Sequence, residues 1–423
     1  MKKYNEKEIL LEYQQAYEIF KEEGVDCNKV IKELSNFSIS FPCWQGDDVT
    51  GFENLTDNIS QIKATGLYPG KARNGDELRQ DLEKALSYIP GHHKISLHAI
   101  YAECENKIPD RDSLEPEHFS RWIDWAKEKN IGLDFNPTFF NHPLAKTGFT
   151  LSNQEKSIRD FWIKHGKISR NIAEYIGKKT SIVCINNIWI PDGWKDLTWN
   201  REEPRERLLN SLDEIFKEEK DPKFMKDSLE PKLFGIGSES YVTGSYDFYL
   251  SYAISRKKIL CLDTGHFHPT ESCSDKISSL LLFLDGLLLH ISRGIRWDSD
   301  HIPIRTDELL EICRQIVNSK KREDIYIGLD FFDASILRPA AWIIAGRAVI
   351  QSLLVALCEP VKKINLKEKE NDLTTRLALS ESIKDLPYSA IWKRLCLEYN
   401  IPWDSSWLED LKYYEQNVLS KRE

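Results

Sequence analysis

Eight short apolar runs alternate with stretches of helical period along this chain of 423 residues. The runs are Phe37–Trp44, Lys94–Tyr101, Gly132–Pro137, Ser181–Ile190, Lys232–Gly237, Lys258–Asp263, Leu287–Ser292 and Asp324–Phe331. Between them lie amphipathic stretches such as His118–Lys129, Gln154–Tyr175, Arg205–Glu219, Lys276–Phe283 and Asp307–Ser319. An apolar run of this length bounded by turn residues suits a strand buried on both faces. Strand–helix alternation implies a parallel sheet with crossover helices. Eight such units favour an α/β fold closed into a (β/α)8 TIM barrel over an open, doubly wound sheet. No glycine-rich phosphate fingerprint follows any run, which argues against a nucleotide-binding fold.

Helical patterns extend past both ends of the alternation. Residues 1–36 read as an N-terminal helical extension, 37–340 as the catalytic barrel, and 341–423 as a C-terminal helical region for barrel closure and subunit contacts. In that last region Ala340–Leu357 reads as a long apolar helix and Lys362–Asn371 as a charge-rich break and link. No apolar run is expected to approach the ~20 residues of a membrane span. A net charge of −9 argues against a surface that grips nucleic acid or an anionic membrane. Nine cysteines with no C-x-x-C pair read as reduced thiols of a cytoplasmic protein, and the charged, helical start does not read as a signal peptide.

Acids and imidazoles gather where the later runs end. The sixth runs into Asp263, His266 and His268, and the seventh carries His290 and leads to Asp298 and Asp300. The fifth leads to Glu239, and the eighth carries Asp330 and Asp333. A lone acid at a strand end is usually a helix cap or a turn residue. Four successive strands of a barrel, however, aim such groups at one mouth. Glu239, Asp263, Asp298, Asp300 and Asp330 would be five carboxylates in one site, and so many like charges cannot all stay ionised unaided. Two divalent cations would nearly balance them, with His266 and His290 completing an oxygen and nitrogen donor set suited to Mn, Mg, Co or Zn. Other readings are a metal-dependent phosphoesterase or endonuclease on the same barrel, and a sugar-binding protein whose metals only brace the rim.

At these residues the chain resembles the L-rhamnose isomerases. The resemblance is carried by KLFGIGSESY (232–241), CLDTGHFHPTE (261–271), LLLHISR (287–293), RWDSDH (296–301) and IGLDFFDAS (327–335). It extends through CWQGDDVTGFEN (43–54), YPGKARN (68–74), LHAIYAE (97–103), LDFNPTFFNHPL (133–144) and NIWIPDG (187–193). Pro42 departs from it, standing where a histidine is expected. The resemblance implies a homotetramer with two divalent cations per subunit, manganese foremost, converting L-rhamnose to L-rhamnulose or acting as a broader aldose isomerase. It implies one ion held by Glu239, Asp263, His290 and Asp330, and a second held by His266, Asp298 and Asp300. Beside these, Asp330 is expected to manage the proton, Lys232 to donate to a sugar oxygen, and His98 to position the sugar or open its ring. Trp44 and Trp189 are expected to stack on the apolar face of a 6-deoxy sugar, with His268 as a further contact.

Overall fold

The computed structural model describes residues 5–44, 51–53, 68–104, 108–232, 240–268, 270–295 and 300–422. Two helices come first, α1 (Glu6–Glu22) and α2 (Cys27–Leu34). Eight strand–helix units follow: β1 (Ile39–Pro42) and α3 (Gly75–Leu86), β2 (Lys94–His98) and α4 (Ser120–Lys129), β3 (Gly132–Asn136) and α5 (Lys156–Thr180), β4 (Cys184–Ile188) and α6 (Glu202–Ile215). The second half continues with β5 (Met225–Leu229) and α7 (Tyr246–Arg256), β6 (Ile259–Asp263) and α8 (Cys273–Leu280), β7 (Leu287–Ile291) and α9 (Asp307–Asn318), β8 (Ile325–Leu329) and α10 (Arg338–Cys358). All eight strands run parallel and close on themselves, each beside its sequence neighbours and β1 beside β8. The expected (β/α)8 barrel is therefore the fold.

The fifth strand differs from the sequence expectation. It is Met225–Leu229; Pro231 and Lys232 follow it, and residues 233–237 lie outside the described part. The segment reads Met-Lys-Asp-Ser-Leu, with polar residues on both faces, and so lacks the apolar signature of a buried strand. Its outward acid, Asp227, is buried but not stranded. Arg170 of α5 donates from Nε to both carboxylate oxygens at 3.1 Å, and Lys258 stands 3.6 Å away. A buried charge is tolerated when it is paired and hydrogen-bonded in this way.

Helix α10 corrects a second expectation. It is 21 residues long, and its most apolar 18-residue stretch has a mean hydropathy of 1.8, long and apolar enough to cross a membrane. Within the protein it packs on α9, α2 and α3, with Ile343, Val349 and Leu353 fully buried. Arg347 sits in its middle and donates to the carbonyl of Trp403 at 2.7 Å. It is the eighth outer helix of the barrel. The expected link at Lys362–Asn371 is also helical: α11 spans Val361–Lys369 and buries none of its residues, so it carries no apolar stripe by which its period could be read. The helices α12 (Leu373–Ser382), α13 (Tyr388–Glu398) and α14 (Trp407–Asn417) complete the chain.

Candidate metal centre

Residues two apart on a strand share a face. The inward positions of the later strands therefore stack in layers. The lower layer is apolar, with Ile185, Ile259, Cys261 and Leu288 packed together against Val183 and Tyr326. Two residues further along, the same faces carry Asp263 on β6 and His290 on β7, which pair directly across the sheet. Asp330 follows β8, and Glu230 follows β5. One donor atom from each of Glu230, Asp263, His290 and Asp330 lies within 4.8 Å of all the others. His290 Nδ1 is 3.2 Å from a Glu230 oxygen and 3.3 Å from an Asp330 oxygen. Neither approach has the direction of a hydrogen bond, and both His290 Nδ1 and Asp330 Oδ1 are buried without a hydrogen-bond partner. Polar atoms brought this close without bonding to one another are what a metal ion, once it displaces their protons, would satisfy.

The electrostatics lead to the same reading. Burial pushes the Asp263 carboxyl up to about 7, with the Asp330 and Glu230 charges adding to the rise. Burial also raises Asp330, although the His290 imidazole opposes it. For His290, burial works against the charged ring, yet the Glu230 and Asp330 carboxylates beside it lift it well above the ordinary histidine range. Glu230 is lowered, because His290 and the amide of Asn187 outweigh its burial. Three crowded carboxylates thus compete for protons that a divalent cation would replace. Cys261 lies one step deeper and forms a second grouping with Glu230 and His290. Burial raises its thiol far above the ordinary range, so it offers no thiolate, and the oxygen-rich quartet is the better fit for a hard or borderline ion.

Glu230 was not among the sequence candidates. The only signal for it was the alternation Lys226-Ser228-Glu230, hidden in a polar segment. Asn187 Nδ2 donates to its Oε2 at 2.5 Å and fixes the carboxylate. Of the expected residues, Asp263, His290 and Asp330 come together here, whereas Glu239 and Asp298 lie outside the described part. His266 stands beside the quartet, its Nε2 3.9 Å from Asp263. Its Nδ1 donates to the carbonyl of Pro231 at 3.0 Å, so Nε2 carries the lone pair. Asp300 has a left-handed backbone, with φ of 36°, and its Oδ1 would lie 3.0 Å from a side chain placed at Gly265. The Gly265 amide in turn donates to Asp263 at 2.7 Å, so Asp300 reaches the edge of the same site. His268 is exposed; its Nδ1 accepts from the Thr270 amide at 3.2 Å.

An aromatic arc faces this centre across the mouth. Trp44 stacks on Phe332 at 5.3 Å and meets the edge of His98 at 5.1 Å. Phe140 continues from His98 to Trp189, at 5.9 and 5.5 Å. Lys232 lies over Trp189 at 5.9 Å. It follows β5 at the C-terminal rim, not at the start of a strand as expected, and its Nζ donates to the carbonyl of Pro191 at 2.7 Å. Burial lowers the His98 imidazole to about 3, so it is neutral, and its Nδ1 is hydrogen-bonded to Thr138 Oγ1 at 2.8 Å. Thr138 is held left-handed at φ 62°, a strained state for a β-branched residue. Arg111 holds it there, donating to the carbonyls of Thr138 and Phe140 at 2.5 Å and of Asn141 at 2.8 Å. A cavity of about 270 Å³ reaches from Cys261, Asp263 and His266 past Lys232 and His268 to Lys276.

Comparison with known proteins gives the architecture a family. An L-rhamnose isomerase of Listeria monocytogenes is 50% identical over 418 residues, covering 99% of both chains. One of Escherichia coli is 50% identical over 414 residues, covering 97% of this chain and 99% of its own. Among solved structures, a D-psicose 3-epimerase of Clostridium cellulolyticum H10 with D-tagatose aligns at a TM-score of 0.42 and 14% identity, over 66% of this chain and 91% of that one. The model of the family described as L-rhamnose isomerase (RhaA) matches residues 7–422, and this chain belongs to that family.

Proposed function

We propose that this protein interconverts L-rhamnose and L-rhamnulose, using two divalent cations per subunit, with manganese preferred over zinc, cobalt or magnesium. The observation that carries the reading is the buried quartet of Glu230, Asp263, His290 and Asp330 at the ends of four successive strands. Family membership along nearly the whole chain supports it. Bound divalent ions supply Lewis acidity at the carbonyl and neighbouring hydroxyl of the open-chain sugar.

The chain's own residues divide the remaining work. Glu230, Asp263, His290 and Asp330 hold one ion, with Glu230 in the place expected of Glu239. His266, Asp298 and Asp300 hold the other, the imidazole kept in its ligating tautomer by Pro231. Asp330 is the most open carboxylate of the quartet, 16% exposed against 4% for Glu230 and 2% for Asp263, and is placed to take a proton from a sugar hydroxyl. Lys232 donates to a sugar oxygen, and His98 positions the chain of the sugar. Trp44 and Trp189 offer apolar faces to the 6-methyl group. His268 contacts the sugar at the outer edge. The protein acts as a cytoplasmic homotetramer, with residues 341–423 in its subunit contacts. Its nine cysteines, all free, suit a reducing compartment.

The test is an isomerisation assay on a panel of aldoses after chelation and re-addition of each metal. Loss of L-rhamnose turnover with EDTA and its return with Mn2+ is the expected result. Undiminished turnover in the metal-free protein would overturn the reading, as would phosphodiester hydrolysis without any aldose isomerisation.

A further inference from the structure

Asp192, on the loop after β4, is fully buried, and its carboxylate is bound on every side. One oxygen accepts from the Thr150 amide at 2.8 Å and the Thr150 hydroxyl at 2.6 Å. The other accepts from the Ser152 amide at 2.9 Å and the Ser152 hydroxyl at 2.6 Å. Its own carbonyl takes a hydrogen bond from the Thr243 amide at 2.9 Å. Thr150 and Ser152 belong to the loop after β3, and Thr243 to the loop after β5. One residue thus ties together three consecutive loops at the rim that carries the metal centre. Thr150, Ser152 and Thr243 are themselves buried, so none of these donors has water as an alternative partner.

The knot ends at Lys232. Pro191, the residue before Asp192, accepts from Lys232 Nζ at 2.7 Å. Lys232 N donates to Gly244 O at 3.0 Å, next to Thr243. Between these anchors the ammonium lines the cavity shared with Asp263 and His266. We propose that Asp192 is a positioning residue for sugar binding, holding the Pro191 carbonyl, and through it the Lys232 ammonium, at the distance from the metal centre that the substrate oxygen requires. The inference rests on the isomerase reading and on the sugar contact assigned there to Lys232.

A substrate oxygen held equally in ground and transition states affects KM and leaves kcat alone. In Asp192→Asn the new amide group must face either the Thr150 or the Ser152 donors, and two hydrogen bonds are lost together. KM for L-rhamnose should rise about tenfold with kcat within a factor of two or three, since one misplaced charged hydrogen bond is worth roughly a decade. Mn2+ affinity should not move, because no ligand is touched. The decisive readout is a cycle with Lys232→Met. If Asp192 acts through Lys232, Asp192→Asn adds no further KM increase in the Lys232→Met background. Independent, multiplying effects overturn the inference, as does an unchanged KM in Asp192→Asn. The milder Ser152→Ala, which removes one of the four bonds, serves in the same cycle if Asp192→Asn does not fold. Failure of the isomerase reading itself would appear separately, as absent rhamnose turnover in the unaltered protein.

Discussion

Gly328 on β8 lies directly across from His290 on β7, and a side chain at 328 would meet the imidazole Cδ2 at 3.1 Å. The glycine is therefore required by close approach, not by backbone conformation. Its missing side chain is the space into which the metal-facing ring fits. The Leu289 carbonyl, 3.3 Å from the same point, closes off any easy displacement. Gly328→Ala should fold, because the strand geometry suits alanine, but it should tilt the ring away from Glu230 and Asp330. Mn2+ affinity measured by calorimetry should fall by about 10- to 100-fold, the usual effect of disturbing the support of a metal ligand.

Glu230→Gln separates the charge of this residue from its shape. The amide retains an oxygen to accept from Asn187, so local packing should survive. Metal affinity should drop on the order of 100-fold or more, because an anionic ligand has become neutral. The metal-free protein should melt somewhat lower than the parent, because the partners that hold Glu230 below the ordinary carboxylate range, His290 foremost, favour its charged form. A variant that binds Mn2+ as tightly as the parent would remove Glu230 from the centre.

The metal-free centre should bind ions in competition with protons. Asp263, pushed up to about 7, holds its proton below that pH, and the raised His290 stays protonated above it. Both must lose a proton before they ligate. Affinity should therefore rise with pH, steeply through about 7, and fall away as pH drops below it. Titrations at pH 7 in buffers of different ionisation enthalpy should register a release of roughly one to two protons per ion at this site. A pH-independent affinity between 6 and 8 would mean that neither group holds a proton in the metal-free centre.

What the sequence disclosed, and what it hid, follows from where polarity could be satisfied. The strands bearing Asp263, His290 and Asp330 are apolar runs buried on both faces, and they stand out in any reading. β5 did not, because Asp227 and Lys226 look like surface residues until Arg170 on another element is seen to pair with Asp227. Missing that strand left Glu230 out of the expected ligand set and put Lys232 at the wrong end of a strand. The aromatic arc was legible only as single residues, since Phe332 reaches Trp44 through the barrel's closure and Phe140 reaches Trp189 through the pairing of neighbouring strands, not through spacing.

The pairing that hid β5 also sets its stability. Arg170→Met leaves Asp227 buried with only Lys258 at 3.6 Å and the Asn186 amide at 3.1 Å. Breaking a buried ion pair from one side costs about 3–5 kcal/mol. The unfolding free energy from denaturant titration should fall by that amount, while the folded fraction keeps its KM and metal affinity.

The route taken by the hydrogen is constrained by which groups near the sugar are basic. An enediol path needs a side chain that removes the C2 proton and returns it to C1. The imidazole of His98 faces the mouth, but burial lowers it to about 3, which makes it a weak base at neutral pH. The quartet carboxylates are engaged as ligands when ions are bound, and His266 carries its proton on the nitrogen bonded to Pro231. We propose direct transfer of hydrogen from C2 to C1 of the sugar, with Asp330 handling only the hydroxyl proton. L-rhamnulose formed in deuterium oxide should then carry little deuterium at C1, measured by NMR before the product re-equilibrates. Deuterium approaching one atom per turnover would show exchange with solvent and would overturn direct transfer.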